Sequence, residues 1–171
     1  LKVGAHMSIA GSIDLSFDRA KERFCDTFQI FTRNPRGWKF KKIHEEEVQR
    51  FKEKLSTSGI GPVISHMPYL PNLASPSKPI HKRSVKTLVS EVERCYMLGI
   101  PYLVTHLGSH MGKGLETGHE RIVEALNKAL ESPADDVMIL LENTAGTKNS
   151  TGTYFEEMAK ILDRIQLQKR V

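Results

Sequence analysis

The chain has 171 residues, 39% of them hydrophobic, which suffices for one good core and so for a single domain or part of one. The 25 Lys+Arg against 20 Asp+Glu give a net charge of +5 and a pI near 9.2, an excess that permits an anionic partner but that solvated lysines alone would also produce. Two widely separated cysteines, Cys25 and Cys95, exclude a disulfide framework or a CxxC zinc motif, and no apolar run nears the roughly 18–20 residues that cross a membrane, so an intracellular, cytoplasmic protein is expected.

The sequence opens at Leu1 without an initiator methionine, so a trimmed N-terminus is expected; "LKVGAHMS" is a strand pattern and not a signal peptide. A helical pattern follows from Ile13 to about Phe24, with both cysteines of the chain placed in helical patterns. "TFQIF" is the second strand. A charged helix runs from Ile43 to about Leu55. "GPVISH" and a helix from about Ile80 to Leu98, stopped by Gly99, form the third unit. "YLVTH" with a helix near Glu120 to Leu130, and "VMILLEN" with a helix near Tyr154 to Ile165, complete five β-α units. The last residues, "LQKRV", resemble the approach to a sixth strand.

Between the second strand and its helix lies "QIFTRNPRGWKFKK", Gln29 to Lys42. Arg33, Arg36, Lys39, Lys41 and Lys42 crowd around Phe31, Trp38 and Phe40, while Asn34, Pro35 and Gly37 rule out a helix. On composition alone the stretch fits a solvated basic loop with Trp38 packed underneath, in a chain whose charge permits an anionic partner such as nucleic acid.

Regular β-α alternation predicts a parallel sheet, doubly wound or closed as a TIM (β/α)8 barrel. No GxGxxG follows the first strand, which weakens the dinucleotide-binding alternative. In a barrel, chemistry sits at the C-terminal ends of the strands, and His6, His66, His106 and Glu142 close the first, third, fourth and fifth strands. With five units instead of eight, residues 1–171 are expected to form one incomplete barrel lacking strands six to eight. Its exposed edges make it marginal or prone to associate.

His66, His106 and Glu142 come from separate strands to one rim, and two imidazoles with one carboxylate suit zinc or a similar divalent ion. Glu142 follows four apolar residues, so its charge is expected beside a dry core, where metal ligation or a salt bridge to an arginine offsets the cost. His6 stands evenly between a structural and a site role. His110, four residues after His106, is a ligand, a supporting group or a phosphate contact. His44, His81 and His119 are expected to face solvent.

"GAHMSIAGS", "FQIFTRNPRGW", "SHMPYLPNLASP", "ERCYMLGIPYLVTHLGSH" and "LLENTAG" resemble, in order and spacing, the motifs of the endonuclease IV family of apurinic/apyrimidinic endonucleases. The resemblance spans the whole chain. It implies a monomeric TIM barrel with three Zn2+ ions. The implied reaction is hydrolysis of the phosphodiester 5′ to an abasic site in double-stranded DNA by a zinc-bound hydroxide, leaving a 3′-hydroxyl for repair synthesis.

By position, the resemblance makes His66 and His106 ligands of the first zinc and Glu142 the catalytic carboxylate bridging the first and second. The family's other ligands lie on strands six to eight, so at most one zinc is expected to be well held here. Arg36 falls where the family inserts an arginine at the flipped-out nucleotide, and Tyr69 matches a second penetrating residue. Arg33, Trp38 and Lys39 join them as DNA-binding candidates, with His6 and His110 supporting the metal. Leu107 departs from the family, which usually has proline there, and a slightly looser loop is expected. Two rival readings are a metal-dependent sugar isomerase-like barrel and a non-catalytic DNA-binding fragment.

Overall fold

The computed structural model describes residues 1–171. Five β-α units follow one another: β1 (Gly4–His6), α1 (Leu15–Glu22), β2 (Thr27–Ile30), α2 (Glu45–Thr57), β3 (Val63–His66), α3 (Lys78–Leu98), β4 (Tyr102–His106), α4 (Leu115–Leu130), β5 (Met138–Glu142) and α5 (Phe155–Leu162). The strands form one parallel sheet in the order β1-β2-β3-β4-β5, each pairing with its sequence neighbour, as βα barrels require. The expected elements are all present, with ends shifted by a few residues.

Stop signals explain the boundaries. Phe24 turns to φ +54° after α1, leaving Cys25 in the following turn and not in a helix, and Gly99 at φ +73° closes α3 with its amide donated to the Tyr96 carbonyl. The chain's last turn, Gln168–Arg170, is 3-10 helix and not an extended approach to a strand. The guanidinium of Arg170 there donates to the carbonyls of Leu130 and Ala134, which ties the turn to the end of α4.

One face of the sheet is covered and the other is open. Phe28, Ile30, Val63, Leu103 and Ile139 point toward the helices and pack with Phe17, Phe51, Leu88, Val92, Ile122 and Leu126 in a core of 29 buried residues. Phe17 meets Phe28 and Phe51 edge-on at 4.9 and 5.0 Å between ring centroids. Register puts His6, Gln29, Ile64, His66, Val104, His106 and Glu142 on the opposite face, since paired residues of parallel strands share a side and side chains alternate with period two. Of these only His66 is buried.

His81 and His119 correct the expectation of solvent-facing histidines, for each is 4% exposed. His81 Nε2 donates to the Arg121 carbonyl at 3.0 Å, joining α3 to α4, while His119 Nε2 has no partner at all. Burial lowers the His119 pKa, and Arg164 and Lys160 add to that against the opposing pull of Glu157 and Glu116. His44 does face solvent, at the start of α2.

Candidate metal centre

His106 and Glu142 are direct partners on the last rung of the β4–β5 ladder. His66 ends β3 two rungs lower, level with Val104 and so on the same face of the sheet. Strand ends therefore deliver all three side chains to one rim, and one donor atom from each lies within 4.8 Å of the others. Glu142 Oε2 is 2.8 Å from His66 Nε2 and 3.6 Å from His106 Nε2. One expectation for Glu142 is corrected here, the dry core, and the arginine alternative is not met. Its side chain is 40% exposed and so not beside a dry core, and its partners are these histidines and no arginine.

The geometry fits a cation. His66 Nδ1 donates to the Met67 carbonyl at 2.7 Å, which fixes the ring and turns Nε2 toward the Glu142 carboxylate. Nε2 and the Glu142 oxygen, 2.8 Å apart, are close enough to share a proton or to bind one cation together. His66 is 9% exposed and His106 45%, so one donor is anchored in protein while the rim stays open to an incoming molecule.

Neither His6 nor His110 joins the donor group. His6 Nδ1 meets Gln29 Oε1 at 3.1 Å, and its ring packs against Phe31 at a tilt of 47°, with centroids 4.4 Å apart. His110 accepts the Gly114 amide through Nδ1 at 3.1 Å and donates its own amide to the Asn149 carbonyl, so it shapes the β4–α4 loop. Leu107 is packed at the start of that loop. Its side chain is fully buried and its carbonyl accepts from the Ala74 amide at 3.1 Å.

Phe31 links the rim to the basic loop, with His66 on one side at 5.6 Å and Tyr69 on another at 5.1 Å. The Tyr69 amide donates to the Pro35 carbonyl at 3.0 Å, so the two loops expected to touch DNA are bonded to each other. Tyr69 is 57% exposed, and Arg36 is exposed beside it in the same surface groove. Lys39 is also exposed. Trp38 is half-buried under the Arg83 guanidinium, 4.4 Å from the ring centroid, and so packs on α3.

Arg33 departs from the expected role in binding DNA. Its side chain is 1% exposed and pairs with Glu91 of α3, which is wholly buried. Its Nη2 donates to Ser90 Oγ at 3.0 Å and its guanidinium lies 3.8 Å over the Phe40 ring. A buried guanidinium satisfied in this way is structural and has no free face for a phosphate.

Four residues that shape the site and its loops were not read from the sequence. Asn72 grips the β4–α4 loop, accepting the Ser109 amide at 2.9 Å and donating to the Ser109 carbonyl at 3.0 Å. A Cβ on Gly108, at φ +97°, would stand 2.2 Å from Asn72 Oδ1, so glycine is required there. Glu91 and Arg94 were overlooked although a signal existed, because both fall on the face of α3 that carries Leu88, Val92, Cys95 and Leu98. Charges on an apolar stripe must be paired.

A family model described as a xylose isomerase-like TIM barrel matches residues 17–171. The chain belongs to this family. A probable endonuclease 4 from Methanoculleus marisnigri is 56% identical over 170 residues, covering 99% of this chain and 60% of the relative. Endonuclease IV from Thermus thermophilus superposes with a TM-score of 0.85 at 31% identity, over 97% of this chain and 61% of that one. A D-tagatose 3-epimerase-like protein, 18% identical with a TM-score of 0.70 over 93% of this chain and 60% of that one, shows the shared fold alone. The chain thus spans about 60% of the curated relatives it matches. Both the motif resemblance to endonuclease IV and the expectation of a partial barrel are borne out.

Proposed function

We propose that this chain is the metal-holding and lesion-gripping part of a DNA repair endonuclease that cleaves 5′ to an abasic site in double-stranded DNA and leaves a 3′-hydroxyl. The observation that carries this reading is one continuous rim: three donor groups within 4.8 Å, joined through Phe31 to an exposed loop that pairs cations with aromatic rings. The likeness to endonuclease 4 proteins supports it. A sugar-isomerase site has no use for such a loop.

Two imidazoles and a carboxylate suit Zn2+ with positions left for water, and these residues supply one such set, so one weakly held ion is expected. The chemistry a bound zinc supplies is charge neutralisation on the phosphate and acidification of a water. The rest is the work of side chains. Met67 holds His66 in the tautomer that presents Nε2, and Glu142 faces both imidazoles through Oε2, leaving Oε1 to accept from a water or face a second cation. Arg36 occupies the space a flipped nucleotide vacates, Tyr69 braces the stack beside it, and Lys39 meets phosphate. Trp38 anchors the loop on α3, and His6 supports the rim through Phe31.

The test pairs elemental analysis of zinc-equilibrated, dialysed protein with nicking of a duplex carrying one abasic site. Up to one zinc per chain is expected, and Glu142→Ala should lose both the metal and any nicking. Three firmly bound zincs would refute the donor count. Tight binding of abasic duplex without nicking would show that this chain is a DNA-binding portion and not a catalyst by itself.

A further inference from the structure

The basic loop begins and ends on a buried ionic cluster that the proposed DNA chemistry does not use. Thr32 Oγ1 donates to Glu91 Oε2 at 2.7 Å and accepts from Arg94 Nε at 2.8 Å, so one hydroxyl relays between a carboxylate and a guanidinium. The other Glu91 oxygen takes Arg33 Nε. Arg94 then reaches both ends of the loop, donating through Nη2 to the Thr32 carbonyl and through Nη1 to the Lys41 carbonyl at 3.3 Å. Phe40 covers the cluster, 3.8 Å from Arg33 Cζ and 5.6 Å from Arg94 Cζ. Further along the same helix, Arg83 stacks on Trp38. Arg83, Ser90 and Arg94 recur at intervals of seven and four, which puts them on one face of α3.

We propose that Glu91 is a positioning residue: as the one carboxylate bonded to Arg33 and, through Thr32, to Arg94, it locks both ends of the residue 32–41 loop onto α3 and so holds Arg36 in place for the lesion. The inference rests on the DNA-repair reading for its consequence, but not for its mechanism. Two guanidiniums buried together repel, and burial lowers the Arg94 pKa while Glu91 pulls it up and Arg33 pushes it down. Without the carboxylate, both cations gain by leaving the interior, and the loop ends they hold leave with them. A loop of this composition has no helix or ladder of its own to fall back on. Arg36 donates its backbone amide to Asn34 Oδ1 at 3.0 Å, and the loop's other tie outside α3 is the Pro35 carbonyl to the Tyr69 amide.

Trp38 is the chain's only tryptophan and sits inside this loop, so its fluorescence reports docking with no need for DNA or metal. Glu91→Gln keeps the side chain's size and removes its charge. Thr32→Val cuts the relay without touching any charge, and serves if the glutamine variant does not fold. In both variants Trp38 emission should shift to the red and acrylamide quenching should rise. Affinity for a duplex with a stable abasic analogue should fall on the order of tenfold, while affinity for intact duplex changes less. Combined with Arg36→Ala, the losses should be sub-additive, because both act through one loop. Unchanged Trp38 quenching in the folded variants, or fully additive losses with Arg36→Ala, overturns the proposal. If the unmodified chain prefers abasic duplex no more than intact duplex, the DNA reading falls and the fluorescence arm alone decides the clamp.

Discussion

Arg33 and Arg36 stand three residues apart in one basic loop and have opposite fates. Arg33 is sealed against Glu91 with 1% of its side chain exposed, whereas Arg36 is exposed at the loop's tip, in the groove it shares with Tyr69. The same contrast separates Glu91, wholly buried, from Glu142, 40% exposed at the strand rim. A charge enclosed with its partners builds the scaffold, and a charge left open at a rim is free for a ligand. The type of residue does not decide which; the helix behind the loop does.

Truncating Arg33 should have the largest effect on stability. Arg33→Ala leaves Glu91 buried without its guanidinium and should cost about 3–5 kcal/mol in a urea or thermal melt, with zinc uptake unchanged in the folded fraction. A loss below about 1 kcal/mol would mean that water reaches the pair and that the contrast with Arg36 is false.

Arg36→Ala should leave the melt within about 0.5 kcal/mol of the parent. Its cost should appear in binding, about 1–3 kcal/mol for a duplex with an abasic analogue and much less for the intact duplex. Equal losses on both duplexes would reduce the loop to an electrostatic handle.

A smaller effect follows from His119, which is buried without a partner for Nε2. Its pKa is lowered from the ordinary 6.5, so the unfolded chain takes up the proton first. Stability from this group is complete above about pH 6.5 and falls as the pH drops through that value toward the lower folded pKa. Thermal midpoints measured between pH 7.5 and 5 should decline for the parent and decline less for His119→Leu. Parallel profiles would place His119 in contact with solvent.

The smallest change is expected from Lys39→Ala. An exposed lysine on a phosphate adds charge and reads no sequence, so intact and abasic duplexes should weaken alike and the salt dependence of binding should flatten by about 0.9 unit. An unchanged slope would leave Lys39 without a phosphate.

The rim was largely legible in the sequence because it depends on local rules. Each histidine or glutamate that ends an apolar run is carried to the same edge of a parallel sheet, so the sequence pattern alone groups His66, His106 and Glu142. Placing a residue on that edge does not show how its side chain is used. His6 lies on the same face and packs against Phe31, outside the donor group. Arg33 was misjudged because five cations in one stretch look alike, and only Glu91, 58 residues later, sets it apart. The burial of His81 and His119 was not legible because which row of α4 meets α3, and which lies near the charges of α5, is fixed by packing.

The order of elements, the parallel sheet and the rim donors follow from the sequence by itself, since a period of two or 3.6 and a stop residue act over a few neighbours. Which cations are buried, which histidine goes without a partner and what holds the basic loop were decided only in the tertiary structure. Those outcomes depend on whether a partner far along the chain arrives to offset the loss of water, and no local pattern records that arrival.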